Sequence, residues 1–228
     1  MKIVGIIQAR AGSSRLPLKM MLSLHGKPVI EWVVKRVLKS KLLDEVVVAI
    51  PDTKKDDILN FYLEELGVNV FRGSEENVLE RFYLAAKKYN ATDIVRVCAD
   101  NPLVDALAID DLIEFYKKEK PDYAYNHIPK DNLYPDGLGA EITSFKNLEF
   151  MYKNAKDKNH KEHCMSYITD NSDKFTIKTF NPKDKSLQHP ELKFDIDTFE
   201  DYRYVAMKKF NIDTSAKELI EIFTKGNK

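Results

Sequence analysis

A chain of 228 residues is long enough for one substantial core, and a single domain over residues 1–228 with an appended excursion accounts for it better than two equal halves. Its 36 Lys and Arg balance its 36 Asp and Glu, which excludes a net field for nucleic acid or an anionic membrane and leaves phosphate binding to local clusters of cations. Two distant cysteines, Cys98 and Cys164, the lack of any apolar run of about 18 residues, and a start that runs from Met1-Lys2 directly into a strand point to a reducing, cytoplasmic location without a membrane span.

Ile3 to Ile7 is an apolar, β-branched run that predicts a buried strand. The loop Gln8-Ala9-Arg10-Ala11-Gly12-Ser13-Ser14-Arg15-Leu16-Pro17-Leu18-Lys19 follows. Its small residues let backbone N–H groups close on an anion, and Arg10, Arg15 and Lys19 supply charge to a polyphosphate. The same stretch also reads as a solvated basic turn. It has neither the Gly-Lys-Ser/Thr end of a P-loop nor a Gly-x-Gly-x-x-Gly fingerprint. Pro28 then opens a helix on which Val29, Ile30, Trp32, Val33, Val34, Val37 and Leu38 make one apolar face, with Trp32 a core residue before a base-stacking one.

Glu45 to Ile50 is a second strand, Asp56 to Leu66 a helix that Gly67 ends, and Val68 to Phe71 a third strand. Arg72-Gly73-Ser74-Glu75-Glu76-Asn77 turns into a helix through Val78, Leu79, Phe82, Ala85 and Tyr89, with Ser74 as its cap. A fourth strand over Ala91 to Ala99 ends at Asp100-Asn101-Pro102-Leu103, and Asp105 starts the helix Ala106 to Lys118. Ligands of open α/β sheets gather outside the carboxyl ends of the strands, where the opening loop and Asp100 both fall. Asp100 also suits a plain turn.

From Pro121 the alternation loosens through Tyr123-Ala124-Tyr125 and Pro135-Asp136-Gly137-Leu138-Gly139-Ala140-Glu141, which reads on its own as a turn between two strands. His160 to Ile168 predicts a helix; His160, His163 and Cys164 have neither Cys-x-x-Cys nor His-Glu-x-x-His spacing for zinc. Lys174 to Phe180 alternates as a half-exposed strand, Leu192 to Asp197 as another, and Asp197 or Thr198 caps a helix that ends near Phe210. Lys217 to Phe223 is a last helix, with Gly226-Asn227-Lys228 expected to fray.

Gln8 to Pro17, with Lys19 and then Gly26-Lys27-Pro28, resembles the opening signature of the sugar nucleotidyltransferases. Within them it is most similar to the cytidylyltransferase branch that holds the spore coat polysaccharide biosynthesis protein F family and 3-deoxy-manno-octulosonate cytidylyltransferase. Asp100-Asn101-Pro102-Leu103 is similar to the metal-binding Asp-x-Pro-Leu of these families. Asp197-Thr198-Phe199-Glu200-Asp201 is similar to their Asp-Thr-Pro-Glu-Asp box, with Phe199 in place of Pro. Leu18 stands where they carry Gly, and Gly139 where the acceptor loop of relatives tends to carry Asp.

The resemblance implies a Rossmann-like three-layer α/β/α nucleotidyltransferase fold with a mixed, mainly parallel sheet. It implies a small inserted extension at about 121–180, used for the acceptor and for homodimerisation. It further implies CTP as donor, Mg2+ as cofactor, and a small acidic sugar or phosphorylated acceptor, with CMP transferred and pyrophosphate released in surface polysaccharide synthesis. Carried onto this chain, the catalytic residues are Arg15, Lys19 and Asp100, and the metal ligands Asp100 and Asp197, with Asp195 the second choice for the latter. The nucleotide-binding set is Gln8, Ala9, Arg10, Gly12, Ser13, Ser14, Arg72 and Ser74. The acceptor-binding set is Gly137, Glu141, Glu162 and His163. Two rivals differ in class. A nucleotide-sugar glycosyltransferase wants Asp-x-Asp after the fourth strand, whereas Asp195-Ile196-Asp197 comes late; a non-catalytic nucleotide-binding regulator has no need of all three cations and both carboxylates.

Overall fold

Ile3, Val4, Ile6 and Ile7 point alternately to two faces that are both covered, so the first strand, β1 (Ile3–Gln8), is apolar throughout. A computed structural model describes residues 1–225, so the expected fraying of Gly226 to Lys228 lies outside the described residues. After β1 come a small hairpin, β2 (Ser23–Leu24) and β3 (Lys27–Pro28), then α1 (Val29–Val37), β4 (Glu45–Pro51), α2 (Asp57–Glu65), β5 (Asn69–Gly73), α3 (Val78–Lys88), β6 (Asp93–Cys98) and α4 (Ala106–Glu119). The remainder gives β7 (Tyr123–Tyr125), β8 (Glu141–Ser144), α5 (Phe145–Asn154), α6 (Lys158–Glu162), α7 (Ser166–Asp170), β9 (Ile177–Thr179), α8 (Phe199–Ala206) and α9 (Ala216–Thr224).

Seven strands form one mixed sheet in the order β5-β4-β1-β6-β8-β7-β9. The β5-β4-β1-β6 part is parallel, β8 is antiparallel to β6 and β7, and β9 runs parallel to β7. α1, α2, α4 and α9 pack on one face and α3, α5 and α7 on the other, which makes the three-layer α/β/α nucleotidyltransferase fold. The chain leaves β1 outward to β4 and β5, then returns to set β6 on the other side of β1. That reversal opens a crevice beyond Gln8 and Cys98, which are paired neighbours at the carboxyl ends of β1 and β6. Among the described residues no helix is long and apolar enough to cross a membrane.

Local departures from the sequence expectations have local causes. Arg72 and Gly73 stay in β5 because they pair with Ile50 and Pro51, so the following turn starts later. Asn77, not Ser74, therefore caps α3: its side chain accepts from the Glu80 amide at 3.1 Å, while the Ser74 hydroxyl accepts from the Asn77 amide at 3.0 Å. Ser144 caps α5 by accepting from Asn147, a helix that the sequence reading passed over. The helix expected from His160 is broken between α6 and α7, where the turn sends Cys164 and Met165 into the core. Leu192 to Asp197 is extended but outside the sheet, tied to Asp136 by two backbone bonds of 2.9 Å and to the Asp100 carbonyl by the Ile196 amide at 2.8 Å.

Leu18, in the family's glycine position, is left-handed with φ 53° and ψ 26° and is 48% exposed. That region costs a non-glycine residue roughly 1–2 kcal/mol, and glycine's extra freedom in the unfolded chain offsets about 0.4–1 kcal/mol of any relief. Leu18→Gly is expected to match the parent or gain up to about 1 kcal/mol in urea unfolding, and the β-branched Leu18→Val to lose about 1 kcal/mol. A glycine variant that unfolds at clearly lower urea would contradict this account.

Candidate active site

The loop after β1 is fixed from the neighbouring β4–α2 connection. Asp56 is 0% exposed, accepts the Ala11 amide at 2.7 Å through one carboxylate oxygen and the Thr53 hydroxyl through the other. A buried carboxylate with two such partners sets the path of the glycine-serine turn. Sequence reasoning placed Asp56 at a helix start; its contact with Ala11, across 45 positions, leaves no local signal. At the turn itself Ser13 accepts from the Leu16 amide at 3.3 Å, and a single 3-10 turn over Lys19–Met21 sends the Lys19 side chain inward.

Lys19 is 8% exposed, and its Nζ lies 3.5 Å from Asp100, 3.4 Å from Asp197 and 2.6 Å from the carbonyl of Ile196. Arg15 reaches the same Asp197 oxygen at 3.0 Å. Two acids almost a hundred positions apart thus face one cation beside the glycine-serine turn, where a cavity of about 210 Å3 opens. Gln8, Ala9, Arg10, Ser13 and Ser14 line it together with Arg15, Lys19, Asp100, Asp197, Glu162 and His163.

The other predicted residues sit elsewhere. Gly12 faces Lys55, whose Nζ would be 3.4 Å from an added Cβ. Arg72 is spent on Asp52 and Asp57 at 3.0 and 2.7 Å and on the Thr53 carbonyl at 2.9 Å. Ser74 is turned to the α3 cap. Glu141 is buried below the cavity floor, paired with Arg96 and accepting from the Tyr123 hydroxyl. Gly137 (φ 81°) supports the site from behind: a Cβ there would lie 2.9 Å from the Asp195 amide nitrogen, so the turn lets the extended segment before Asp197 pack close.

Asp195 lines a separate groove with Lys193 and Asp201. One of its oxygens lies 3.3 Å from the Lys193 Nζ and the other is buried without a hydrogen-bond partner. Burial, together with Asp100 and Asp197 nearby, raises its carboxyl above the usual range although Lys193 opposes this. Cys98 is no nucleophile in the making, because burial pushes its thiol up to about 11. Cys164 is buried in the core and His160 pairs with Asp170 at 3.0 Å, so the two do not converge with His163. No group of three or more His, Cys, Asp or Glu among the described residues could hold a metal by itself. Asp100 and Asp197, already drawn to a cation, offer the hard oxygen ligands that fit a divalent ion completed by phosphate oxygens and water.

A mainly parallel sheet whose strand order reverses beside such a loop, with two acids drawn to the loop's Lys19 and Arg15, is the arrangement of a nucleotidyltransferase. Residues 4–226 match the sequence profile of the cytidylyltransferases, and the chain belongs to that family. It is 39% identical, over 99% of its length and 91% of the other, to an uncharacterised protein of Methanocaldococcus jannaschii. To the spore coat polysaccharide biosynthesis protein SpsF of Bacillus subtilis it is 31% identical, over 98% of its length and 94% of the other. A solved cytidylyltransferase of Leptospira borgpetersenii superimposes with a TM-score of 0.89 at 29% identity, covering 99% of this chain and 95% of that one.

Asp136, on the loop that clamps the 192–197 segment, carries a carboxyl raised from 3.8 to about 6 by burial, with Asp195 and Asp100 adding to it. A folded-state value above the unfolded one stabilises fully below about pH 4, and that contribution is lost as pH rises through 6. In the presence of EDTA, Asp136→Asn is expected to leave stability at pH 4 unchanged and to raise it at pH 8 by on the order of 1 kcal/mol. Equal stability of variant and parent at both pH values in chemical denaturation would refute the assignment.

Proposed function

We propose that this chain is a Mg2+-dependent enzyme that transfers CMP from CTP to a small acidic sugar or phosphorylated acceptor, with release of pyrophosphate, in surface polysaccharide synthesis. The single observation that carries the reading is the pair Asp100 and Asp197 facing one cation beside the glycine-serine turn. The spore coat name of one relative supports the polysaccharide setting.

The residues divide the work by charge. Backbone N–H groups of the loop and the side chains of Arg10, Arg15 and Lys19 hold the triphosphate and align its α-phosphorus with the oxygen of the acceptor. Asp100 and Asp197 would hold Mg2+, which would supply neutralisation of the phosphate charge. Unit charges about 4 Å apart attract by roughly 4 kcal/mol at an effective dielectric near 20, so placement of charge supplies the rate without a covalent intermediate. Glu162 and His163 line the same cavity and are the groups that would face the acceptor. The stretch at about 121–180, which supplies those two residues and the antiparallel part of the sheet, is the acceptor-binding and self-associating excursion.

Purified protein with Mg2+ is offered each of the four nucleoside triphosphates against a panel of sugar acids and sugar phosphates, and pyrophosphate is followed. Release with CTP well above the other three is expected; faster release with another triphosphate overturns the base assignment. Asp100→Ala and Asp197→Ala are each expected to lower turnover about a hundredfold or more with the circular dichroism of the parent retained. A folded variant with parental turnover removes that acid from the proposed role. Arg15→Ala and Lys19→Ala are expected to weaken CTP uptake in calorimetry about tenfold or more, and parental affinity in both would dissolve the phosphate cradle.

A further inference from the structure

Gln8 closes β1 on the sheet face that carries Val4 and Ile6, the face packed with Val78, Cys164 and Met165. Its side chain lines the cavity together with Glu162 and His163, which directly precede Cys164 in the chain. On the neighbouring strand Arg96 Nε donates to Gln8 Oε1 at 3.0 Å. The guanidinium has no acceptor atom, so the group of Gln8 that faces it is the oxygen, and the amide nitrogen is turned the other way. Among the described residues that nitrogen donates to no protein group.

Arg96 is in turn held in place. Its Nη1 pairs with Glu141, which is 3% exposed at its side chain, accepts the Tyr123 hydroxyl through its second oxygen, and lies 3.9 Å from His127 Nε2. A buried ion pair of this kind gains little net stability over an apolar isostere, so its siting directly beneath a cavity residue calls for another account. We infer that Arg96, locked by Glu141, orients Gln8 so that its amide N–H groups meet an oxygen of the second substrate, a carboxylate, keto or phosphoryl oxygen. Gln8 then belongs to the acceptor half of the site and not to the nucleotide half, and Glu141 acts on the acceptor through Arg96, as a positioning residue. This rests on the reading above in one respect, that the cavity takes two substrates.

The test uses full-length nitrogen-15-labelled protein with Mg2+ and saturating CTP, with the Gln8 side-chain amide identified as the pair of signals lost in Gln8→Met. Pyruvate, which offers carboxylate and keto oxygens, and glucose 1-phosphate, which offers phosphoryl oxygens, are titrated separately. Saturable movement of the Gln8 pair with one of them is expected and tells the two sources apart. Gln8→Glu still accepts from Arg96 but turns an acceptor toward the ligand, and should weaken that probe about tenfold or more while CTP affinity in calorimetry stays within about threefold. The double variant Arg96→Met with Glu141→Gln, which leaves no buried charge unpaired, should move the two Gln8 amide protons toward the shifts of a freely mobile glutamine side chain and weaken the probe about threefold or more, with CTP affinity kept. A Gln8 pair that moves with neither probe overturns the inference, as does a Gln8→Glu variant that loses CTP and probe by the same factor. If the parent takes up no CTP, the nucleotide assignment falls, and the same titration run without nucleotide still decides the part played by Gln8.

Discussion

The burial of the Lys19 ammonium is the constraint on which the site depends. An isolated buried cation is costly, and this one is compensated by two carboxylates and a carbonyl drawn from two other parts of the chain. The loop after β1 brings the cation, the end of β6 brings Asp100, and the extended stretch before α8 brings Asp197. The two acids repel one another, and the cation set between them offsets that repulsion. Held together they form a rigid, charged wall at the reversal point of the sheet, which is where an α/β fold presents ligands. Fold and site are therefore joined by electrostatics as much as by the apolar core.

Much of the architecture was legible because the pattern is local. Apolar runs marked β1, β4 and β6 as strands covered on both faces, and the alternation of strand and helix up to α4 required a parallel sheet. The loop cations and the two acids were legible as motifs. What escaped depends on register between distant strands: Asn77 displaces Ser74 as the cap because Gly73 finds a partner in Pro51, and nothing in the turn itself signals that pairing. Asp56 and Arg96 escaped for the same reason. Each looks like an ordinary helix-start or strand residue until its partner, Ala11 or Gln8, arrives from another strand.

Glu141, expected at the acceptor, is buried and does not line the cavity. Its side chain points into the sheet face below the cavity, where Arg96, Tyr123 and His127 surround it. His127 is held neutral there, its ring pushed down to about 3 by burial and by the Arg96 charge, so it adds a polar neighbour without adding a second cation. Among the described residues the one full charge that Glu141 meets is Arg96, and that pairing ties the antiparallel strand β8 to the end of β6 near the site. The segment that enters β8 and the loop that leaves β1 are thus linked through the side chains of Glu141, Arg96 and Gln8.

The three departures from the family pattern have different physical reasons, and none falls on Lys19, Asp100 or Asp197. Leu18 is tolerated because its left-handed backbone lies at an exposed turn where the side chain meets no core. Gly139 is required: a Cβ there would fall 2.2 Å from Asn126 Oδ1, and Asn126 is occupied in binding the Ala140 amide and the Ala108 carbonyl, both at 2.9 Å. Phe199 can replace proline at the first position of α8 because Thr198 and Asp201 already form a reciprocal capping box, so the helix start needs no fixed φ. Each change alters how a backbone turn is made and leaves Lys19, Asp100 and Asp197 where they meet. The site depends on the convergence of charge, and a turn that delivers it can be built from other residues where another local interaction sets the same path, as the capping box does at Phe199.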